Sequence, residues 1–128
     1  MTTVRTLLAR LAEADFDGAG ALFADRVDWD IPGAAGLVPW IGPRRTGEEA
    51  AAFYRTLDDH LERDVFQVER VFADGDEAVV VGHLRAVARA TGKAFATPFA
   101  IRLTVTDGRI TRYLIVEDSH AVADAMRT

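Results

Sequence analysis

The sequence predicts an α+β fold in which helices pack on one face of a curled antiparallel sheet. Two observations carry that prediction. The apolar period is helical as far as about residue 63 and alternating from Val65 onward. The turn dipeptides Asp74-Gly75, Thr91-Gly92 and Asp107-Gly108 then set glycines 17 and 16 residues apart (92 minus 75, 108 minus 92). Such spacing marks a meander of four strands, each longer than the usual five or six or so residues, and strands that long must twist and curl. A chain of 128 residues supports one core, so residues 1–128 are expected to form a single domain without linkers.

Val4, Leu7, Leu8 and Leu11 recur at i, i+3, i+4, i+7, which predicts a first helix with Thr2 or Thr3 as its cap. Asp17 is expected to cap a short second helix, "GAGALFA", that buries Leu22 and Phe23 before a strand over Val27 to Ile31. Thr46 and Glu49 form a capping box for a third helix. Its apolar stripe is Ala50, Phe53, Tyr54, Leu57 and Leu61, and it is expected to run to about Arg63. In the strand after Thr91-Gly92, Phe95, Thr97, Phe99, Ile101, Leu103 and Val105 share one face. Ala94, Ala96, Pro98, Ala100, Arg102 and Thr104 share the other. The last strand puts Tyr113, Ile115 and Glu117 on one side and Ile110, Leu114 and Val116 on the opposite side. Asp118 or Ser119 caps a terminal helical turn or two, "HAVADAM". Both sheet faces are therefore partly apolar. Helices cover only one of them, which predicts a homodimer through the other.

Composition removes several function classes. With no cysteine, disulfides, thiolate metal sites and cysteine nucleophiles are excluded, and His60, His83 and His120 lack metal-ligand spacing, so no metal is expected. A net charge of -5, from 15 basic and 20 acidic residues, argues against a nucleic-acid partner, and Arg44-Arg45 is the only adjacent basic pair. No stretch is long and apolar enough to span a bilayer. The N-terminal segment is amphipathic, unlike a secretory signal, so a cytoplasmic location is expected.

The stretch "VDWDIPG", residues 27–33, poses the functional question. Val27, Trp29 and Ile31 alternate with Asp28 and Asp30. Either the two carboxylates form the solvated face of an edge strand while Trp29 anchors the core, or Asp30 points into a pocket. In a pocket shielded by Trp29 and Trp40, a carboxylate from the ordinary range near about 3.9 would rise toward neutrality and suit a general base. Residues 33–45, "GAAGLVPWIGPRR", form a long aperiodic loop whose Trp40 either closes a pocket mouth or plugs the core. Tyr54 has a hydroxyl that can reach a substrate or sit at a core rim. His83, between Gly82 and Leu84, is a second proton carrier or an exposed histidine, its face left open by the alternation. Glu117 either enters the cavity or ends its strand in solvent.

The strings "DFDGAGALFADRVDWDIPG", "RRTGEEAAAFYRTL" and "DGRITRYLIVEDSHAV" resemble the nuclear transport factor 2-like superfamily and, within it, the SnoaL-like, ketosteroid isomerase-related proteins. The resemblance covers nearly the whole chain. It implies a cone-shaped, cystatin-like α+β fold that hosts isomerases, polyketide cyclases, epoxide hydrolases, dehydratases and plain binding modules. In ketosteroid isomerase an aspartate moves the proton while a tyrosine and a protonated aspartic acid hold the oxyanion. On this chain the base falls at or within one residue of Asp30, but the tyrosine falls on Leu7 and the acid on Ala100. Losing one oxyanion donor costs about a hundredfold to a thousandfold in rate, so ordinary steroid isomerisation is not expected. The Asp-Arg-Asp set of the superfamily's epoxide hydrolases finds no match either, although Arg85, Arg102 and Asp118 are present.

Two function classes follow. One is an enzyme performing cofactor-free proton transfer, isomerisation or cyclisation, on a small hydrophobic carbonyl compound. Asp30 would be its base and Tyr54 or His83 its proton donor, with Trp29, Trp40, Phe99, Ile101, Tyr113, Ile115 and Glu117 around the substrate. The other is a non-catalytic protein that binds an apolar ligand. A cone filled by its own side chains, serving only dimer contacts, is the third possibility.

Overall fold

The computed structural model describes residues 2–33 and 37–127, so residues 34–36 of the loop before Trp40 lie outside the described residues. In chain order the elements are α1 (Thr2–Ala12), α2 (Phe16–Gly20), β1 (Phe23–Asp30), α3 (Gly47–His60), β2 (Leu61–Asp74), β3 (Glu77–Ala88), β4 (Ala94–Thr106), β5 (Arg109–Glu117) and α4 (Ser119–Met126). The strands form one curled, unclosed sheet in the order β1-β5-β4-β3-β2. Its three hairpins are antiparallel, whereas β1 joins the edge beside β5 in parallel. The meander turns where the glycines predict. Gly75, Gly92 and Gly108 have φ of 58°, 72° and 78°, a region that only glycine enters without strain.

Several expected boundaries shift. The second helix is capped by Asp15, not Asp17: the Asp15 carboxylate accepts the Gly18 N–H at 3.0 Å, and the helix ends at Gly20. Phe23 thereby becomes the first residue of β1 and is buried there. The third helix starts at its predicted Thr46 cap but stops at His60, because Leu61 to Arg63 are drawn into the ladder opposite Ala86 to Ala88. On β5 the simple alternation fails at Thr111. Val105 pairs with Ile110 and Thr104 with Arg112, so Thr111 bulges and Ile110 joins Tyr113 in the core, not Leu114 and Val116 outside it.

The core lies between the helices and the concave sheet face. Val4, Leu7 and Leu11 of α1 and Phe53 and Tyr54 of α3 meet Phe95, Phe99, Ile101 and Leu103 of β4 there. Trp29 stacks on Tyr113 at 4.2 Å between ring centroids and meets Phe53 edge-on at 4.9 Å. On β3 the inward residues Ala78, Gly82 and Ala86 are small and alternate with Val80 and Leu84, which leaves room above the sheet. The open edges are protected in two ways. Val27 N–H donates to Arg45 O at 2.8 Å and Arg44 N–H to Trp29 O at 3.2 Å, so the returning loop covers β1. The other edge, β2, carries bulges at Asp64 and Glu69 and charged side chains on both sides of them.

Among the described residues, no element covers the convex face. Register across the sheet aligns Phe72, Val79, Arg102 and Leu114 in one row and Val81, Ala100 and Val116 in the next. Phe72 and Val116 are 50% and 52% exposed, the two large apolar side chains most open to solvent among the described residues. Among the described residues, no helix is long and apolar enough to cross a membrane.

Candidate functional site

Between α3 and the concave face lies a cavity of about 170 Å³. An apolar cavity of about 150 Å³ holds a benzene molecule, so this space admits one ring or a short branched chain and not a steroid nucleus. Its walls are mostly apolar. Trp40 is 3% exposed and forms part of one wall, and Phe99 and Ile101 of β4 and Ile115 of β5 form the floor. Phe66, stacked on Phe99 at 5.1 Å, closes the side toward β2.

Two hydroxyls meet within this apolar shell. Tyr54, on the buried stripe of α3, donates to the Tyr113 hydroxyl of β5 at 2.9 Å. Both tyrosines line the cavity and both are buried, and burial is the main cause that lifts each phenol above its ordinary range. The Tyr113 oxygen is the acceptor in the pair, so its own proton is left to donate. Glu117 lies four residues beyond Tyr113 on the same face of β5 and lines the same cavity. Burial raises its carboxyl above the ordinary carboxylate range, and the neighbouring charge of Asp118 adds to the rise.

Three expected site residues lie elsewhere. Asp30 does not enter the cavity. The pleat that buries Trp29 and Ile31 turns Asp30 outward, opposite Leu114, where its exposed carboxylate accepts the Ile31 N–H at 2.8 Å. His83 is also outward, because its neighbours Gly82 and Leu84 face in, and its Nδ1 lies 2.8 Å from a Glu69 carboxylate oxygen. Trp29 sits beneath Tyr113 as core and is not part of the cavity wall. Its buried Nε1 has no hydrogen-bond partner among the described residues.

The other expected residues are brought together: Tyr54, Trp40, Phe99, Ile101, Tyr113, Ile115 and Glu117 all face the cavity. Sequence reasoning missed Arg63, Phe66 and Leu84, which also line it. Phe66 and Leu84 are opposite each other in the ladder, so their alternation was a usable signal. Helical spacing puts Arg63 at the end of α3, whereas the ladder pairs it with Ala86. Where the exposed residues Asp58, Arg63 and Arg85 border the cavity, it reaches the protein surface. No cluster of three or more histidine, aspartate or glutamate side chains suited to a metal occurs among the described residues.

Residues 4–113 match the SnoaL-like domain. The chain belongs to that family. The fold of the SnoaL-like domain is shared with an NTF2-like protein from Burkholderia xenovorans LB400, 24% identical over 98% of this chain and 94% of that one, with a TM-score of 0.88. A second NTF2-like protein, from Burkholderia thailandensis E264, is 26% identical over 99% of this chain and 96% of that one, also at 0.88. An LEH-like epoxide hydrolase from M. tuberculosis is more distant, 20% identical over 98% of this chain and 86% of that one, with a TM-score of 0.73. Comparison with curated proteins gives no significant match.

The SnoaL-like domain departs from the two catalytic patterns considered for it. Leu7 is core, and Ala100 faces the convex side, so neither position offers an oxyanion donor. Arg85 pairs with Asp64, Arg102 donates to Glu77 at 2.9 Å, and Asp118 caps α4 by accepting the Ala121 N–H at 3.1 Å. Those three side chains serve separate local contacts.

Proposed function

We propose that this SnoaL-like domain transfers a proton on a small apolar carbonyl compound, with Glu117 as the base and the Tyr113 hydroxyl as the donor to the carbonyl oxygen. The observation that carries this reading is the Tyr54 to Tyr113 hydrogen bond at 2.9 Å inside the cavity. With Tyr54 as the donor, the Tyr113 oxygen accepts and keeps its own proton for a ligand oxygen. A carboxylate raised by burial is a stronger base, and Glu117 faces the same space. Glu117 takes a proton from the carbon beside the carbonyl, and the electron pair moves to oxygen as an enolate that Tyr113 holds. Return of the proton from Glu117 to another carbon completes an isomerisation. Attack of the enolate carbon on a second carbonyl within the molecule, whose oxygen then takes the proton back from Glu117, completes a cyclisation.

The experiment is deuterium wash-in. One-ring ketones and enones are incubated with the protein in D₂O and followed by NMR. Exchange beside the carbonyl that falls about a hundredfold or more in both Glu117→Gln and Tyr113→Phe supports the assignment. Exchange that is absent in wild type, with the ketones still bound, favours the second reading, a non-catalytic carrier of an apolar ligand. The largely aliphatic and aromatic walls suit that role.

The same reading includes a homodimer through the convex face. The apolar side chains on that face, among them the exposed Phe72 and Val116, support it, since such groups are costly to leave against water.

A further inference from the structure

The concave face of the sheet carries a cation where its pattern calls for an apolar residue. Arg63 is opposite Ala86, which is 3% exposed in the core, so the two share the inward face. The bulge at Asp64 then puts Phe66 on that face as well, opposite Leu84. Arg63 borders the cavity where it meets solvent. Its guanidinium has no carboxylate within ion-pair distance among the described residues, and its two hydrogen bonds, both to Leu11 O, are 3.4 Å long. The neighbouring Arg85, by contrast, is held by Asp64. Asp58 borders the same opening with its carboxylate in solvent.

We propose that the ligand of this pocket is an apolar oxo acid, whose carboxylate is received by Arg63 at the mouth while its hydrocarbon part, bearing the carbonyl that Tyr113 receives, fills the cavity. This rests on the pocket reading above and names its substrate class. A guanidinium offers paired N–H donors that match the two oxygens of a carboxylate, and the partly apolar surroundings strengthen the pairing. Charge placement agrees with it. Arg63 is on β2 and Glu117 on β5, with β3 and β4 between them, and their rows cross β4 four residues apart, at Phe95 and Phe99, so the ligand's anion and the cavity's acid are kept separate. Cavity volume fixes the scale of the apolar part at one ring, with the head group outside it.

The test compares 3-phenylpropanoate with its uncharged amide, 3-phenylpropanamide, by calorimetric titration at pH 7.5 on wild type, Arg63→Met and Arg63→Lys. The expected result is about tenfold tighter binding of the acid to wild type. That preference disappears in Arg63→Met, with amide affinity unchanged, and persists in part in Arg63→Lys. Equal binding of acid and amide by wild type overturns the proposal and leaves the pocket standing. So does a preference that survives in Arg63→Met, or a variant whose only change is a lower melting temperature, which would make Arg63 a cap for the α1 carbonyls. Binding of neither probe overturns the pocket reading and this inference together.

Discussion

Tyr54 and Tyr113, 59 residues apart in sequence, share a buried hydrogen bond of 2.9 Å that ties α3 to β5 across the cavity. Each partner shields the other from an unsatisfied burial. Tyr54→Phe or Tyr113→Phe alone is expected to lower stability by about 1–3 kcal/mol, because one buried oxygen is orphaned. The double phenylalanine variant is expected to lose less than the two losses added, since no orphan is left. Urea denaturation of the four proteins measures the cycle, and strict additivity would show that the two hydroxyls do not interact.

Glu117 predicts a pH dependence with a definite sign. Its folded carboxyl is raised by burial, so the folded protein holds this proton more tightly than the unfolded chain does. Stability is therefore favoured below the ordinary glutamate range and declines as pH rises from there through the raised value. Relative to wild type, Glu117→Gln should lack that decline. Melting curves from pH 4 to 8 on the two proteins check it, and parallel curves would place Glu117 in solvent.

Asp30→Asn should change little. The side chain is exposed, accepts the N–H of the next residue and lies in the field of the Arg44 guanidinium, so stability is expected to stay within about 0.5 kcal/mol and deuterium wash-in to match wild type. A large loss of exchange in this variant would return the base to Asp30.

Gly82→Ala is expected to be severe. A Cβ at Gly82 would collide with the backbone carbonyl of Gln67 and lie 2.9 Å from Phe99 Cζ, beneath the Phe66–Phe99 stack. Backbone cannot move aside as a side chain can, so a loss of about 3 kcal/mol or more is expected in chemical denaturation. A loss below about 1 kcal/mol would mean that the β2 bulge is free to adjust.

Val116→Glu should leave the fold intact and break a dimer that uses the convex face. Sedimentation velocity at micromolar concentration should show wild type as a dimer and the variant as a monomer. A monomeric wild type removes the dimer.

The alternation of "VDWDIPG" already decided Asp30. A pleat has two faces, and a strand that buries Val27, Trp29 and Ile31 must turn Asp28 and Asp30 to the other side. The family resemblance drew attention to Asp30, but the register of this chain overruled it. The same period-two logic correctly grouped Tyr113 with Ile115 and Glu117, and helical spacing placed Tyr54 on the buried stripe. What neither period contains is the meeting of the two tyrosines, because it depends on how far the sheet curls toward α3. Arg63 was hidden for a related reason: its face is set by pairing with Ala86 beside a bulge, and local spacing does not reveal bulges. His83 was ambiguous because its alternation partners, apolar Val81 and charged Arg85, do not mark which face is inside.

The bulge at Thr111 has a consequence for how such a pocket can change over generations. Ile110 closes the hairpin end of the core and Tyr113 begins the chemistry-bearing row, and the surplus residue between them lets both face inward. Loss of that one residue would force a choice: keep Ile110 inside and turn Tyr113, Ile115 and Glu117 to the convex side, or the reverse. A single-codon deletion could thus exchange the pocket's whole polar equipment for the set now on its outer surface, a jump that no series of point substitutions on β5 makes in one step.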